Sequence, residues 1–335
     1  MPSTPQDYPG GRAIICQAFV NRGVQEEIVP VLLNSLANST LKQYETAYKA
    51  WWKFCQEWGY SVFEGNTQQL LQFLNDQLNT KQLKFGSINN LRSALSLILN
   101  YDITINPSVK RFMKGIFRMH PPKRKYDFIW DTNIVLDYLE QRVPTHKISL
   151  MGLAKKTATL LALVTGHRIQ TLARIRVDQM IISPEGVQIF ISDHLKTTNK
   201  NNANPCLQIP YFPERPGICP ATYLESYVNR TAAIRSEVQD YLFLTSRPPY
   251  QTASTSTISR WIKCTLADAG IDTSVFSAYS VRHAASSAAY KNGVTLETIR
   301  RTAGWTESSK MFAKHYHLPS RNLKDFAKCI LSDKA

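Results

Sequence analysis

The chain has 335 residues, of which 43% are hydrophobic, and a formal net charge of +15. This hydrophobic content excludes a wholly disordered protein, and the length allows about two domains. The basic excess favours a polyanionic partner, with nucleic acid ahead of an anionic membrane surface. No run reaches the ~20 apolar residues of a membrane helix, and the N terminus lacks the pattern of a secretory signal. The six cysteines contain no CxxC pair, which favours a reducing compartment and disfavours zinc or disulfide frameworks.

The first 120 residues predict an arm followed by a small helical domain. Residues 1–23 are rich in Pro and Gly and are predicted to be a disordered arm. Residues 24–120 contain amphipathic patterns, each opened by a capping residue or a proline. Four helices joined by short connections indicate a small all-helical domain. These helices are expected to begin near Leu41, Asn66, Phe85 and Pro107.

A basic run without any acid crosses the end of this domain. Most charge runs are solvated faces, but the absence of interleaved acids favours contact with DNA phosphates. Residues 121–126 of the run are predicted to be a basic linker between the domains. The predicted DNA-binding residues are Lys110, Arg111, Lys114, Arg118, Lys123, Arg124 and Lys125.

Residues 127–335 predict a second domain that is mainly helical with a small β-hairpin, giving an α+β fold. Val187, Ile189 and Ile191 alternate with polar residues, as on a half-buried strand. A second strand at 206–212 follows a polar loop, which predicts a long hairpin. Helices are expected near 131–142, 149–164, 220–227, 257–269 and 321–331.

The second domain also carries the groups needed to break a phosphodiester without a metal. Such a reaction needs a nucleophile, cations on the nonbridging oxygens, an acid for the leaving oxygen and further donors. The sequence contains no HExxH, GxxxxGK[ST] or GxGxxG motif, so we expect no metal or cofactor. The catalytic candidates, in chain order, are Arg168, Lys196, Tyr279, Arg282, Trp305 and Tyr316.

Five short motifs in this order resemble the tyrosine recombinase (phage integrase) family. The resemblance covers about residues 24–330 and implies that residues 24–120 are the core-binding domain, which binds DNA. Each motif alone is weak, whereas five in order on a basic chain form a strong signal. The Gly304-Trp305 pair and the histidines around Tyr316 further resemble recombinases of DIRS-like or crypton-like eukaryotic mobile elements, which implies a nuclear protein. The five motifs are TGHRI at 165–169, Lys196-Thr197, YSVRH at 279–283, AGW at 303–305 and His315-Tyr316.

The resemblance implies a mechanism and a set of partners. Tyr316 attacks the scissile phosphate of double-stranded DNA and forms a 3′-phosphotyrosine, while Lys196 protonates the departing 5′ oxygen. The two arginines neutralise the phosphorane, with Trp305 and Tyr279 as further donors. Lys200 lies in the same loop as Lys196 and is the alternative general acid. The resemblance also implies a tetramer on two DNA sites and no requirement for ATP.

Two departures from the family pattern leave other functions open. The family usually has His or Lys three residues before the second arginine, where this chain has Tyr279. It often has an acid three residues after the first arginine, where this chain has Thr171. The alternatives are a catalytically impaired, domesticated DNA-binding protein, a type IB topoisomerase-like nicking-closing enzyme, and a purely structural helical protein. The sequence does not specify the target DNA site.

Overall fold

The computed structural model describes residues 7–141, 147–195, 198, 204–235 and 240–306. The chain divides into two compact units, Met1–Lys123 and Arg124–Ala335. Each unit has its own hydrophobic core. Within the described ranges, no helix is both long enough and apolar enough to cross a membrane.

The first unit is helical, as predicted. The long third helix, α3, places the fully buried Tyr48 and Trp51 at the centre of the core. Asn66 begins α4 with a capping box, in which its side chain and that of Gln69 each accept a backbone N–H of the other. The helices are α1 (Gly11–Asn21), α2 (Val29–Asn34), α3 (Asn38–Trp58), α4 (Thr67–Thr80), α5 (Phe85–Leu95) and α6 (Pro107–Met119).

The prediction of a disordered arm over residues 1–23 is wrong for the second half of that segment. There, α1 buries Ile14, Ile15 and Ala18 against the core. These apolar residues recur at helical spacing, a local pattern that the Pro and Gly content of the segment obscures. The N–H of Gly11 donates to the Glu45 carboxylate at 2.9 Å, which ties the start of α1 to α3.

The second unit is built around α8, which is buried on nearly every side. Helices α10, α11 and α12 pack against it, and this explains why most of its residues are buried. Tyr126 also belongs to this core and is only 4% exposed, so its assignment to the linker was wrong. The helices are α7 (Thr132–Glu140), α8 (Leu150–Thr165), α9 (Ile169–Leu172), α10 (Pro220–Thr231), α11 (Thr255–Asp268), α12 (Ser280–Lys291) and α13 (Leu296–Thr302).

A three-stranded antiparallel sheet completes the described part of this unit. The strands β1 (Met180–Ser183), β2 (Gly186–Phe190) and β3 (Cys206–Pro210) pair in sequence order. The β2–β3 hairpin was predicted, and the overall fold class is confirmed. The sequence missed β1 because it has only four residues and exposes two adjacent isoleucines, so it shows no alternation. The helix predicted over 321–331 lies outside the described residues.

Candidate active site

The first arginine box, which is the TGHRI motif at 165–169, lies where α8 ends. Gly166 adopts a left-handed conformation with φ of 58°, which a glycine does at little cost, and terminates the helix. The chain then turns so that His167 is buried and Arg168 becomes the N-cap of α9. Arg168 is partly exposed, and no carboxylate among the described residues lies within ion-pair distance of it. Within this part of the chain, its charge is therefore not neutralised by an acid.

The second arginine box, which is the YSVRH motif at 279–283, lies at the start of α12. Tyr279 is the N-cap of this helix and is 37% exposed. Arg282, in the first turn, is only 2% exposed. Its Nη1 donates to the carbonyl oxygens of Gly166 at 2.6 Å and Ala303 at 2.7 Å. Arg282 therefore joins the end of α8, the start of α12 and the end of α13.

Trp305 completes this cluster from the segment that follows α13. The chain leaves the helix through Gly304, which has φ of 65°. The indole ring then lies with its centroid 4.3 Å from the guanidinium carbon of Arg282. Stacking of this kind is attractive and limits where the guanidinium can lie. The structure thus brings together two of the predicted site residues, Arg282 and Trp305.

His167 belongs to the TGHRI motif, and no role was predicted for it. Its imidazole packs against Gly304 and makes a hydrogen bond with the backbone of Thr302. Burial, followed by the charges of Arg282 and Arg168, lowers the pKa of His167 from 6.5 to about 3. The imidazole is therefore neutral near pH 7 and adds no further positive charge near the two arginines. The only signal in the sequence is the presence of a histidine inside an arginine box.

A polar network surrounds Asp193, which follows β2 and precedes Lys196 and Lys200 in the sequence. The Asp193 carboxylate accepts a hydrogen bond from Arg174 at 3.0 Å and one from the Tyr241 hydroxyl at 2.8 Å. Arg176 lies 3.8 Å from the same carboxylate. The predicted general acid Lys196 and its alternative Lys200 lie outside the described residues, as does the predicted nucleophile Tyr316. Their placement in the site remains a prediction.

The basic run has an exposed face on α6. Asn106 caps this helix and Pro107 occupies its first turn, both of which are typical start signals. Val109, Met113 and Ile116 are buried on the opposite side, and Phe112 is partly buried. The exposed basic residues of the run are Lys110, Arg111, Lys114, Arg118, Lys123, Arg124 and Lys125. Their contact with DNA remains a prediction.

Comparison with known proteins identifies relatives with this fold. The chain is 21% identical over 278 residues to the integrase/recombinase xerD homolog of Selenomonas ruminantium, covering 81% of this chain and 79% of that protein. XerH site-specific recombinase, solved in a post-cleavage complex with a palindromic difH substrate, has a TM-score of 0.63 at 14% identity, with 99% of this chain and 92% of that one covered. A lambda integrase tetramer bound to a Holliday junction has a TM-score of 0.50 at 14% identity, with coverage of 92% and 76%.

The described fold is mainly helical with a small antiparallel sheet, it places Arg282 beside Trp305, and together with the family comparison it identifies a tyrosine-type DNA recombinase. The model of the phage integrase family matches residues 137–321, which is more than half of the chain. The chain therefore belongs to the phage integrase family.

Proposed function

We propose that this recombinase cuts and rejoins DNA through a covalent 3′-phosphotyrosyl intermediate on Tyr316. The observation that carries the proposal is the fixed position of Arg282, which donates to Gly166 and Ala303 and stacks on Trp305. A cation held in place before the reaction stabilises a phosphorane without reorganising in the transition state. Such an arrangement suits phosphoryl transfer, in which catalysis consists mainly of positioning and electrostatic stabilisation.

Each remaining residue has a distinct role in this reaction. The Tyr316 oxygen attacks the phosphorus, the bond from phosphorus to the 5′ oxygen breaks, and Lys196 gives that oxygen its proton. Arg168 and Arg282 neutralise the nonbridging oxygens, while Trp305 and Tyr279 donate further hydrogen bonds. A free tyrosine has a pKa of ~10, so the adjacent cations are needed for reaction near neutral pH. Attack by a 5′ hydroxyl from a second strand reverses the step and exchanges the strands.

The partner in this proposal is double-stranded DNA, bound by a tetramer that spans two sites. The net charge of +15 and the exposed basic face of α6 supply sequence-independent attraction to the phosphates. The similar XerH and lambda integrase structures are complexes with DNA, and the latter is a tetramer on a Holliday junction. These relationships support the same assembly for this chain.

We further propose that the chain serves the integration of a DIRS-like or crypton-like eukaryotic mobile element and acts in the nucleus. The support is the Gly304-Trp305 pair together with the histidines that flank Tyr316 in the sequence. In the structure, Gly304 and Trp305 belong to the same turn that contacts His167 and Arg282. This contact supports the proposal, because the Gly304-Trp305 part of the pattern lies beside Arg282.

Trapping on nicked DNA tests the reaction. A duplex selected by binding from a random library would carry a nick near the cleavage position, so that the short released strand diffuses away and the covalent adduct accumulates. We expect an adduct on Tyr316 that forms equally well in EDTA and is absent in Tyr316→Phe, while DNA affinity changes by no more than a few fold. Strong inhibition by EDTA, reversed by magnesium, would instead indicate a metal-dependent nuclease.

The same assay separates the alternative functions. Catalytic impairment is one alternative, because Thr171 stands where the family often has an acid and a threonine has no carboxylate to orient a neighbouring cation. Thr171 is 4% exposed. Tight, salt-dependent binding without any adduct would identify a catalytically impaired DNA-binding protein. An adduct accompanied by plasmid relaxation, but by no strand exchange between two duplexes, would identify a nicking-closing enzyme.

A further inference from the structure

Lys125 lies beside the second arginine box, although the sequence placed it in a linker. Its Nζ donates to the Ser277 hydroxyl at 3.1 Å and lies 6.0 Å from the centre of the Tyr279 ring. The side chain is exposed, and no carboxylate among the described residues lies within ion-pair distance of the amine. The amine is therefore a cation near the start of α12 that no acid in the described part of the chain neutralises.

The next residue, Tyr126, fixes this position. The Tyr126 hydroxyl is 2.9 Å from the Ser277 hydroxyl, so Lys125 and Tyr126 share one hydrogen-bonding partner. Its ring packs edge-on against His283, with the centroids 5.1 Å apart, and is buried in the core of the second unit. A backbone held in this way keeps the lysine near Tyr279, so that only the side chain itself has freedom to move.

The chemistry of Tyr279 explains why a cation is useful at this point. A phenol donates one hydrogen bond but carries no charge near neutral pH. Hydrogen bonds from charged donors are roughly twice as strong as those between neutral groups. A lysine amine on its four-carbon stem can reach an anion bound next to Tyr279 without any movement of the backbone.

We propose that Lys125 is a further catalytic residue, which contacts a nonbridging oxygen of the scissile phosphate on the Tyr279 side. This inference rests on the proposed function, because it requires the phosphate to bind between Arg168, Arg282 and Tyr279. The inference gives Lys125 a different role from the other six residues of the basic run, which are predicted only to bind DNA. Lys125 stabilises charge that develops during the reaction and therefore affects the rate on DNA that is already bound.

Three variants test this role. Lys125→Gln removes the charge at nearly constant length, and Lys125→Arg keeps a cation. Lys291→Gln is the matched control, because it removes the same charge from an exposed lysine at the other end of α12, ~18 Å along the helix axis. Adduct formation is measured on the nicked duplex with the protein at saturating concentration, and melting temperatures establish that all three variants are folded.

We expect Lys125→Gln to slow adduct formation by about 10- to 100-fold. Loss of a rigid transition-state donor usually costs about 10²–10³ in rate, and a smaller effect is expected here because the lysine side chain is flexible. Lys125→Arg should stay within about fivefold of the parent protein, and Lys291→Gln should match the parent. Equal rates for Lys125→Gln and Lys291→Gln, or equal losses in the Gln and Arg variants, would overturn the inference while the proposed function stands. If the parent protein binds DNA and forms no adduct, both proposals fail.

Discussion

A methyl group added to Gly304 would lie 2.7 Å from Cε1 of His167, closer than the two groups can approach without a shift. Gly304 also has φ of 65°, a left-handed conformation that residues with a side chain adopt at a cost. The first arginine box and the turn that leads to Trp305 are therefore matched in shape. Because Arg282 also donates to both segments, displacement of one segment should disturb the position of the guanidinium.

Gly304→Ala should destabilise the second unit by about 1–3 kcal/mol, from the strained backbone and the contact with His167 together. Urea unfolding of the full chain measures the loss. The double variant His167→Ala/Gly304→Ala removes the steric contact and should be less destabilised than the sum of the two single variants predicts. Strict additivity would show that the shape match between the two segments contributes no stability. Gly293→Ala is a suitable control, because its φ is also left-handed at 86° but nothing lies within 4 Å of an added methyl group.

The buried imidazole of His167 should make stability depend on pH. Its pKa is about 3 in the folded chain, against an ordinary value of 6.5. Between these values the unfolded chain binds more protons than the folded chain, so protonation favours unfolding as the pH falls. The contribution of His167 to stability is complete above 6.5 and declines from there toward pH 3. At pH 5 the loss should amount to about 2 kcal/mol.

Chemical unfolding at pH 7.5 and pH 5 measures this loss. His167→Asn, which cannot gain a proton, should show a difference in unfolding free energy between the two pH values that is smaller by about this amount. The comparison needs the difference within each protein, because the substitution itself also changes packing. An equal pH dependence in both proteins would mean that the imidazole is protonated, or solvated, in the folded state.

Arg168 and Arg282 should both be required for cleavage but should differ in their effect on stability. Arg282→Ala removes two hydrogen bonds and the stacking on Trp305, so both cleavage and the free energy of unfolding should fall. Arg168→Ala alters a partly exposed side chain and should reduce cleavage alone. The expected loss of rate on bound DNA is roughly 10²–10³ in each case. Adduct formation and urea unfolding distinguish the two effects, and a stable Arg168→Ala variant with normal cleavage would remove Arg168 from the site.

Part of this site could be predicted because each short motif combines reactive residue types with the local sequence signals of a turn or a helix start. Arg168 and Arg282 lie at helix starts, as their neighbours in the sequence indicated. The contact between His167 and Gly304 could not be predicted, since it depends on how two distant segments pack. Tyr126 was missed for the same reason: a tyrosine that follows three basic residues looks like linker until the core around it is known.

Local composition was misleading in two other places. The Pro and Gly content of the first residues concealed α1, whose burial depends on its packing in the core of the first unit. Strand β1 is too short to show a period, and it is defined by its hydrogen bonds to β2 rather than by its own sequence. In contrast, the start of α6 was predicted correctly, because a proline start and regular apolar spacing act within one helix.

The basic face of α6 should determine how the affinity for DNA depends on salt. Replacing Lys110, Arg111, Lys114 and Arg118 with alanine should weaken binding to all sequences, because contacts to phosphates do not read bases. All four side chains are exposed, and the helix buries Val109, Met113 and Ile116 on its other face, so the variant should remain folded. Each contact that is lost lowers the slope of log affinity against log salt by about 0.9, so four contacts would change it by roughly 3–4.

Binding measured over a series of salt concentrations gives this slope. Adduct formation at saturating protein should change much less than affinity, since these four residues belong to the first unit and the candidate site belongs to the second. A suitable control replaces the exposed Lys49 and Lys53 of α3, which lie outside the run. This control should change the slope less than the four substitutions in α6 do. A slope unchanged by the four substitutions in α6 would show that this face is only solvated. The first unit would then have to bind DNA through another surface.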